Sequence, residues 1–272
     1  FDISEIPKKY VERINVLGNN ITREDVLRQK LSLDEGDTYN EILLKKSINN
    51  LKSLNFFKSV IYSVSDGSNS DMKIINIEVD EKATGEIFAG AGFGTNGGTI
   101  GFGIKENNFM GKGIKFDTNL ELSEEQIRGQ FSVYNPNFRG SDNALSTNIQ
   151  SLSTDLMSDY GYKTTKTGIS FGTRFEYYEN LFLSPSVSSF YESLKTTSAA
   201  SNTLKKQRGT YFDTDIDYTL DFDKRDQKFQ TSDGFRSRFT QSIPLISKTN
   251  ALLNGYEFNV YEELPDDMAG ES

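Results

Sequence analysis

The chain has 272 residues, contains no Cys, His or Trp, and carries 30 Lys and Arg against 39 Asp and Glu, a net charge of -9. The absence of Cys excludes a disulfide framework and thiolate chemistry, and the absence of His removes the commonest metal ligand and the usual general base. Because nucleic-acid binding requires a basic face, this acidic balance also argues against a nucleic-acid partner.

The first region, residues 10–82, mixes helical and strand periods and predicts a small α+β unit in the order strand, helix, helix, strand, strand. Its opening strand, "YVERINVLG", places Ile14 and Val16 on one face. Thr22 is expected to cap the helix that follows, with Asp25 in the reciprocal position of a capping box.

A second helix, "EILLKKSINNLKSLN", and two strands, "FFKSVIYSV" and "MKIINIEVDE", complete this unit. The helix has one apolar stripe at helical spacing, and the last strand has one apolar face at alternate positions. The positions that this pattern predicts to be buried are Leu44, Ile48, Leu51, Ile75, Ile77 and Val79.

From Gly85 onward the helical period disappears, and about ten segments alternate between apolar and polar residues. Each segment has near the ~10 residues that a tilted strand needs to cross a bilayer. The segment 210–223, "TYFDTDIDYTLDFD", is typical because apolar side chains occupy one face and acidic side chains the other. This pattern predicts an antiparallel up-and-down meander.

Two architectures fit such strands: a soluble sandwich that buries its apolar face, and a membrane barrel whose apolar face meets lipid. The polar positions are often Gly, Ser, Asp, Arg or Glu, aromatic residues form 12% of a chain of polar mean hydropathy, and several lie near strand ends. These observations favour the barrel. The aromatic residues predicted at the membrane interfaces are Phe109, Tyr134, Phe138, Tyr177, Tyr178, Tyr191 and Tyr261.

The connections between these strands alternate in length. Short turns at 108–113 and 178–180 exchange with longer polar loops at 156–162 and 195–207, which indicates a different aqueous compartment at each end of the sheet. The five aspartates within 213–223 could bind Ca²⁺ through their oxygens. Since alternate residues of a straight strand do not converge on an ion, exposure to a hydrated barrel interior is the preferred interpretation.

The residues also carry a resemblance to a known family. The stretches "INVLGNNITREDVLRQKLSLDEGDTYNE", "LKKSINNLKSLNFFKSV" and "VDEKATGEIFAGAGFGTNGG" resemble the last POTRA domain of the BamA family of outer-membrane protein assembly factors, and its junction with the barrel. The likeness continues through "NNFMGKG", "SVYNPNF" and "DFDKRDQKFQTSDGFR". It covers nearly the whole chain in the family's order.

The resemblance implies the domain organisation. Residues 1–9 would end a preceding segment, 10–82 form a POTRA domain of βααββ order, and 83–272 form the first part of an all-β antiparallel transmembrane barrel. Because family barrels have sixteen strands and about ten are present here, the chain is expected to be a fragment. The localisation implied is the bacterial outer membrane, with the POTRA domain in the periplasm.

The resemblance also implies a non-enzymatic insertase without cofactor or metal. Its expected partners are nascent outer-membrane β-barrel proteins, accessory lipoproteins of the assembly complex, periplasmic chaperones and outer-membrane lipid. Two alternatives stay open: a POTRA-barrel secretion or translocation pore of the same superfamily, and a secreted soluble β-domain that binds partners or Ca²⁺. The "GAGFG" run lacks the following helix of a phosphate-binding loop, so a nucleotide site is not expected.

Two strands are predicted to pair with substrate strands. By resemblance, Gly85–Thr95 is the first barrel strand, and its glycines would weaken the seam of a lateral gate and leave an edge for β-augmentation. The candidate residues there are Ile87, Phe88, Ala89, Gly90, Ala91, Gly92, Phe93 and Gly94. A second candidate edge lies in the POTRA domain at Lys58, Val60, Tyr62 and Val64, where an inert spacer is the alternative.

Overall fold

The structure is a computed structural model that describes residues 8–94, 97–226, 231–247 and 251–263. Most of the predicted lead-in at 1–9, together with Thr95, therefore lies outside the described residues. The chain divides into two compact units. One comprises Phe1–Ile87 with Ile104–Phe116, and the other comprises Phe88–Gly103 with Asp117–Ser272.

The first unit contains a three-stranded sheet and two helices. Its elements are β1 (Tyr10–Leu17), α1 (Glu24–Arg28), α2 (Glu41–Ser53), β2 (Phe57–Asp66) and β3 (Met72–Glu81). The strand order is β1-β3-β2, with β1 parallel and β2 antiparallel to the central β3. The predicted order of strand, helix, helix, strand and strand is confirmed.

The core of this unit forms where α2 packs against the sheet. Asn40 starts α2 because its side chain accepts hydrogen bonds from the amides of Ile42 and Leu43, which the first turn leaves unpaired. All six residues predicted from the apolar stripes are at most 4% exposed: Leu44, Ile48, Leu51, Ile75, Ile77 and Val79. Burial of each stabilises the fold by about 1.5–3 kcal/mol.

The remaining strands form one antiparallel ten-stranded sheet in which each strand pairs with its neighbours in the chain. The strands are β4 (Gly85–Gly94), β5 (Gly97–Phe109), β6 (Ile114–Ser123), β7 (Gln126–Asn135), β8 (Ala144–Leu156), β9 (Tyr162–Tyr178), β10 (Leu181–Thr196), β11 (Gly209–Asp223), β12 (Gly234–Ile246) and β13 (Leu253–Tyr261). A short helix, α3 (Asn202–Gln207), lies in the β10–β11 loop. The predicted up-and-down meander is confirmed.

The strand register places the apolar side chains in continuous rows. Phe171 of β9 lies opposite Val187 of β10, which lies opposite Ile216 of β11 and then Ile243 of β12. Directly opposed residues share a face, so this row belongs to one side of the sheet. Phe171 and Val187 are 51% and 45% exposed, so the apolar face is open rather than buried in a second layer.

The opposite face is polar along the same strands. Ser170 of β9, Ser188 of β10 and Asp215 of β11 form a row one residue away from the apolar one. An exposed apolar face combined with a polar inner face is the inverted pattern of a transmembrane barrel. In the part of the chain that the structure describes, no helix has the length and apolar character that a membrane-spanning helix needs.

Candidate functional site

The candidate substrate strand β4 lies at one edge of the ten-stranded sheet. In the described residues its one neighbour is β5, and each of its ten residues is exposed. The predicted positions 87–94 all lie on this edge. An edge strand presents unpaired backbone N–H and C=O groups, which can pair with an incoming strand.

The glycines of β4 do not serve close packing. A Cβ atom added at Gly90, Gly92 or Gly94 would find no other atom within 4 Å. Each glycine instead lowers strand stability by about 0.5–1 kcal/mol relative to Ala, because it loses more backbone freedom and offers no side chain to pack. This edge therefore combines open space with weak intrinsic strand stability.

Phe88 is the main side chain that attaches β4 to β5. Its ring covers Gly103, where an added Cβ would overlap the ring, and Gly103 is buried. Phe93 lies beside Gly98, with its Cε1 3.2 Å from the position of an added Cβ, yet Phe93 is 95% exposed. Of these two aromatic rings, Phe88 makes the closer cross-strand contact.

The second candidate edge is β2, which pairs with β3 and lies at the margin of the POTRA sheet. Lys58 and Tyr62 are exposed, whereas Val60 and Val64 pack in the core. Lys58 lies at a register shift between Phe57 and Ser59. A strand added here would therefore pair with the backbone of β2, since two of the four predicted side chains already stabilise the domain.

Within the first unit, Thr22 takes a role that the sequence did not reveal. It was predicted to cap α1, but the N-cap is Arg23 and no side chain caps the helix, so that prediction is wrong. Thr22 is buried, and its hydroxyl accepts a hydrogen bond of 2.8 Å from the Asn108 side chain. Its amide donates to Glu81 Oε1 at 2.7 Å, and the Ile21 amide donates to Glu81 Oε2 at 2.8 Å.

The β5–β6 turn completes this cluster. The Arg23 amide donates to the Gly111 carbonyl at 2.9 Å, and the Gly113 amide donates to Asn108 Oδ1 at 2.7 Å. Gly111 has a φ of 68°, and an added Cβ there would collide with the carbonyl oxygen of Ile21. Glycine is therefore required at this position by both conformation and space.

Glu81 is held ionised by this arrangement. Partial burial opposes its ionisation, but hydrogen bonds from Thr22 and from the Ile21 amide outweigh that effect and hold the pKa of Glu81 below its ordinary value of 4.5. The first unit therefore contains a negative charge fixed by backbone donors at the end of β3.

A second cluster lies on the polar face of the sheet around Asp221 of β11. Arg236 of β12 donates to both carboxylate oxygens, at 2.8 and 2.7 Å, while Arg174 of β9 donates at 3.3 Å. Arg238 lies 3.7 Å away, and Arg174 also stacks over the Phe182 ring at 4.5 Å. Asp221 is 0% exposed, so one buried carboxylate joins three strands.

This cluster corrects one prediction about the barrel interior. The aspartates within 213–223 were expected to face water, but Asp221 is buried and Asp223 contacts Arg225 at 2.7 Å. The register explains the difference, because it places Arg238 directly opposite Asp221. The alternating arginines of "GFRSRF" were a usable indication in the sequence. The described residues contain no group of three acidic side chains arranged to hold a metal ion.

The fold and the edges together define a class of protein, a POTRA domain followed by an antiparallel sheet of the outer-membrane barrel type. Comparison with protein families agrees. The POTRA family, described as a surface antigen variable number repeat, matches residues 9–82, and the Omp85 superfamily domain matches residues 108–261. The chain belongs to the Omp85 superfamily. It is accordingly a protein of the bacterial outer membrane, with its POTRA domain in the periplasm.

Individual relatives show how much of such a protein the chain represents. It is 26% identical over 239 residues to the outer membrane protein assembly factor BamA of Neorickettsia risticii, covering 85% of this chain and 32% of the relative. With BamA of Neisseria meningitidis it shares 26% identity over 167 residues, covering 59% and 21%. The chain thus spans about a fifth to a third of these relatives.

Solved structures show the same fold. The crystal structure of BamA from Haemophilus ducreyi lacking POTRA domains 1–3 has a TM-score of 0.69 at 21% identity, covering 95% of this chain and 53% of that one. CdiB from Acinetobacter baumannii has a TM-score of 0.52 at 11% identity, covering 93% and 48%. The BamA fold is the closer match of the two.

Proposed function

We propose that this chain is part of an outer-membrane protein assembly factor that folds and inserts β-barrel proteins, and that β4 receives the incoming strand. The observation that carries the proposal is the β4 edge, which is exposed along its whole length and is interrupted by glycines with open space around them. Backbone hydrogen bonds formed by β-augmentation do not depend on the side chains of the substrate, which suits a factor that handles many sequences.

This function requires no chemical step on the substrate. Free energy for insertion comes from pairing backbone groups that would otherwise be unsatisfied in hydrocarbon, where each costs several kcal/mol. The proposal therefore includes neither an enzymatic activity nor a cofactor. The partners proposed are nascent outer-membrane β-barrel proteins, accessory lipoproteins of the assembly complex, periplasmic chaperones and outer-membrane lipid.

Site-specific cross-linking tests the edge directly. A photo-activated amino acid at Phe88, Gly90 or Gly92 of the full-length protein should capture nascent barrel proteins in cells. The matched control is Ile149, which is also exposed and apolar but lies on β8 between two paired strands. Capture at Ile149 with none at the β4 positions would overturn the proposal.

The POTRA edge is proposed as a second, earlier contact for substrate strands. β2 has backbone groups free on the side away from β3, as β-augmentation requires, while its core side chains Val60 and Val64 are already used. Cross-linking groups at Lys58 and Tyr62 should capture periplasmic substrates, and an inert spacer would capture none.

The second candidate is a secretion or translocation pore, because the CdiB fold also matches with TM-scores above 0.5. Depletion of the protein separates the two functions. An assembly factor predicts loss of many different outer-membrane barrels, whereas a secretion pore predicts the loss of one exported protein with the barrels unchanged. The soluble β-domain is not retained, since the chain belongs to a superfamily of outer-membrane proteins.

A further inference from the structure

The β10–β11 loop carries the densest positive charge of the chain's barrel region. Residues 193–212 contain four basic residues and no acidic residue, in a chain whose net charge is -9. The basic residues are Lys195, Lys205, Lys206 and Arg208, and all four are exposed. A local charge opposite in sign to that of the chain as a whole indicates an anionic partner.

This loop is folded rather than open. The Thr197 amide donates to the Gly161 carbonyl at 2.8 Å, Ala200 is buried, and Ser201 caps α3 by accepting from the Leu204 amide. Gly161 has a φ of 68°, and an added Cβ there would press against the Ala200 amide. The basic side chains therefore extend from a fixed backbone.

Three of these cations have no partner among the described residues. Lys205 donates to the Ser198 carbonyl at 2.7 Å, but no side-chain hydrogen bond or ion pair involves Lys195, Lys206 or Arg208 in that part of the chain. Lys195 also lies directly opposite Lys163 in the register. Like charges in directly opposed positions destabilise a sheet unless an anion compensates them.

The loop also forms a shallow pocket. It has a volume of about 490 Å³ and is lined by Thr196, Thr197, Ser198, Lys205 and Arg208. Hydroxyl groups beside a lysine and an arginine are the donors that phosphate oxygens accept most strongly.

The apolar face of the sheet sets the depth of this pocket. On the outward side of β10, Val187 is followed by Ser189, the exposed ring of Tyr191, Ser193 and then Lys195. Tyr191 lies opposite the exposed Phe212. Going outward, the order is thus aliphatic, aromatic, hydroxyl and cation. Aromatic rings mark the membrane interface, and cations just beyond them lie at the level of lipid phosphates.

Chain connectivity gives the side of the membrane. β4 begins directly after the POTRA domain, so the turns at 110–113, 179–180 and 224–233 lie at the end of the sheet where β4 begins. The 197–208 loop lies at the other end. In an Omp85 protein with a periplasmic POTRA domain, that other end faces the outer leaflet. We propose that the loop at 195–208 binds the phosphate-bearing headgroups of outer-leaflet lipids.

The test is lipid binding by the full-length protein in detergent, with fluorescent short-chain phosphatidic acid as the probe. A triple variant, Lys195→Gln, Lys206→Gln and Arg208→Gln, should bind at least about tenfold more weakly, since each basic residue near a membrane contributes about 1 kcal/mol. The control triple, Lys46→Gln, Lys52→Gln and Lys112→Gln, removes the same charge from exposed positions elsewhere and should bind as the parent does.

Two further measurements keep the result unambiguous. Lys195→Arg with Lys206→Arg should retain binding, and the unfolding midpoints of all variants should match because the side chains are exposed. Inorganic phosphate should not displace the lipid probe. Equal affinities of parent and triple variant, an equal loss in the control triple, or displacement by inorganic phosphate would each overturn the lipid site, while leaving the strand-docking edge at β4 unaffected.

Discussion

The side-chain amide of Asn108 donates a hydrogen bond of 2.8 Å to the hydroxyl of Thr22, although 86 residues separate them in the chain. Both side chains are buried, at 4% and 2% exposure. Asn108 also accepts from the Gly113 amide, so one side chain fixes the β5–β6 turn and joins it to the segment before α1.

Substitution of Asn108 by Ala should destabilise the first unit by about 1–3 kcal/mol, because buried donors and acceptors lose their partners. Native-state hydrogen exchange of the full chain measures this locally, as faster exchange at the Arg23 and Gly113 amides. Asn49→Ala, at an exposed position of α2, is the matched control. Unchanged exchange at both amides in Asn108→Ala would show that the bond is not structural.

Glu81 predicts acid sensitivity of the same unit. Because the folded state holds its pKa below 4.5, Glu81 contributes stability that is fully present above pH 4.5 and is lost as the pH falls through the lowered value. Glu81→Gln should reduce this acid-dependent loss in unfolding measured between pH 6 and pH 3. Glu78→Gln, an exposed position on the same strand, should leave the pH profile unchanged. Identical profiles for both variants would contradict the role of Glu81.

Asp221 is expected to be the most sensitive acidic residue of the barrel region. Asp221→Asn removes the one negative charge that three arginines share, and it should destabilise the sheet by about 3–5 kcal/mol. Asp213→Asn lies on the same face of the same strand, has no printed ion pair in the described residues, and should change stability by less than about 0.5 kcal/mol. Denaturant unfolding in detergent distinguishes the two, and equal effects would refute the buried-charge interpretation.

The glycines of β4 and β5 should respond differently to substitution. Gly90→Ala meets open space and should leave stability unchanged or raise it by up to about 1 kcal/mol. Gly103→Ala should lower it by about 1–3 kcal/mol, because the new Cβ displaces the Phe88 ring. If the weak edge matters for function, Gly90→Ala should also reduce strand capture by a cross-linker at Phe88. Undiminished capture in a stabilised variant would separate edge weakness from function.

Much of the fold follows from local patterns. Alternation at period two identifies which side chains share a face of a strand, so the row containing Ile216 could be assigned to the apolar face without knowledge of its neighbours. Helical spacing likewise identified Leu44, Ile48 and Leu51 as core residues. These predictions succeed because side-chain direction is set by the backbone of the element itself.

The features that the sequence did not reveal depend on residues far apart in the chain. Thr22 has the residue type and position of a helix cap, but Asn108 and Glu81 bind it instead. Asp221 belongs to an acidic series that reads as solvated, yet the register with two neighbouring strands surrounds it with arginines. Neither long-range partner can be read from one sequence, since alternation fixes the face of a strand but not its register.

The central claim is that the apolar face of the ten-stranded sheet meets lipid while its polar face meets water. The chain contains no cysteine, so Ile216→Cys and Asp217→Cys, adjacent residues on opposite faces of β11, can be probed with a water-soluble maleimide in intact outer membranes. The account predicts that the thiol at position 217 reacts, whereas the thiol at 216 stays unreactive and contacts lipid-attached quenchers. Rapid labelling at 216 with protection at 217 would contradict it.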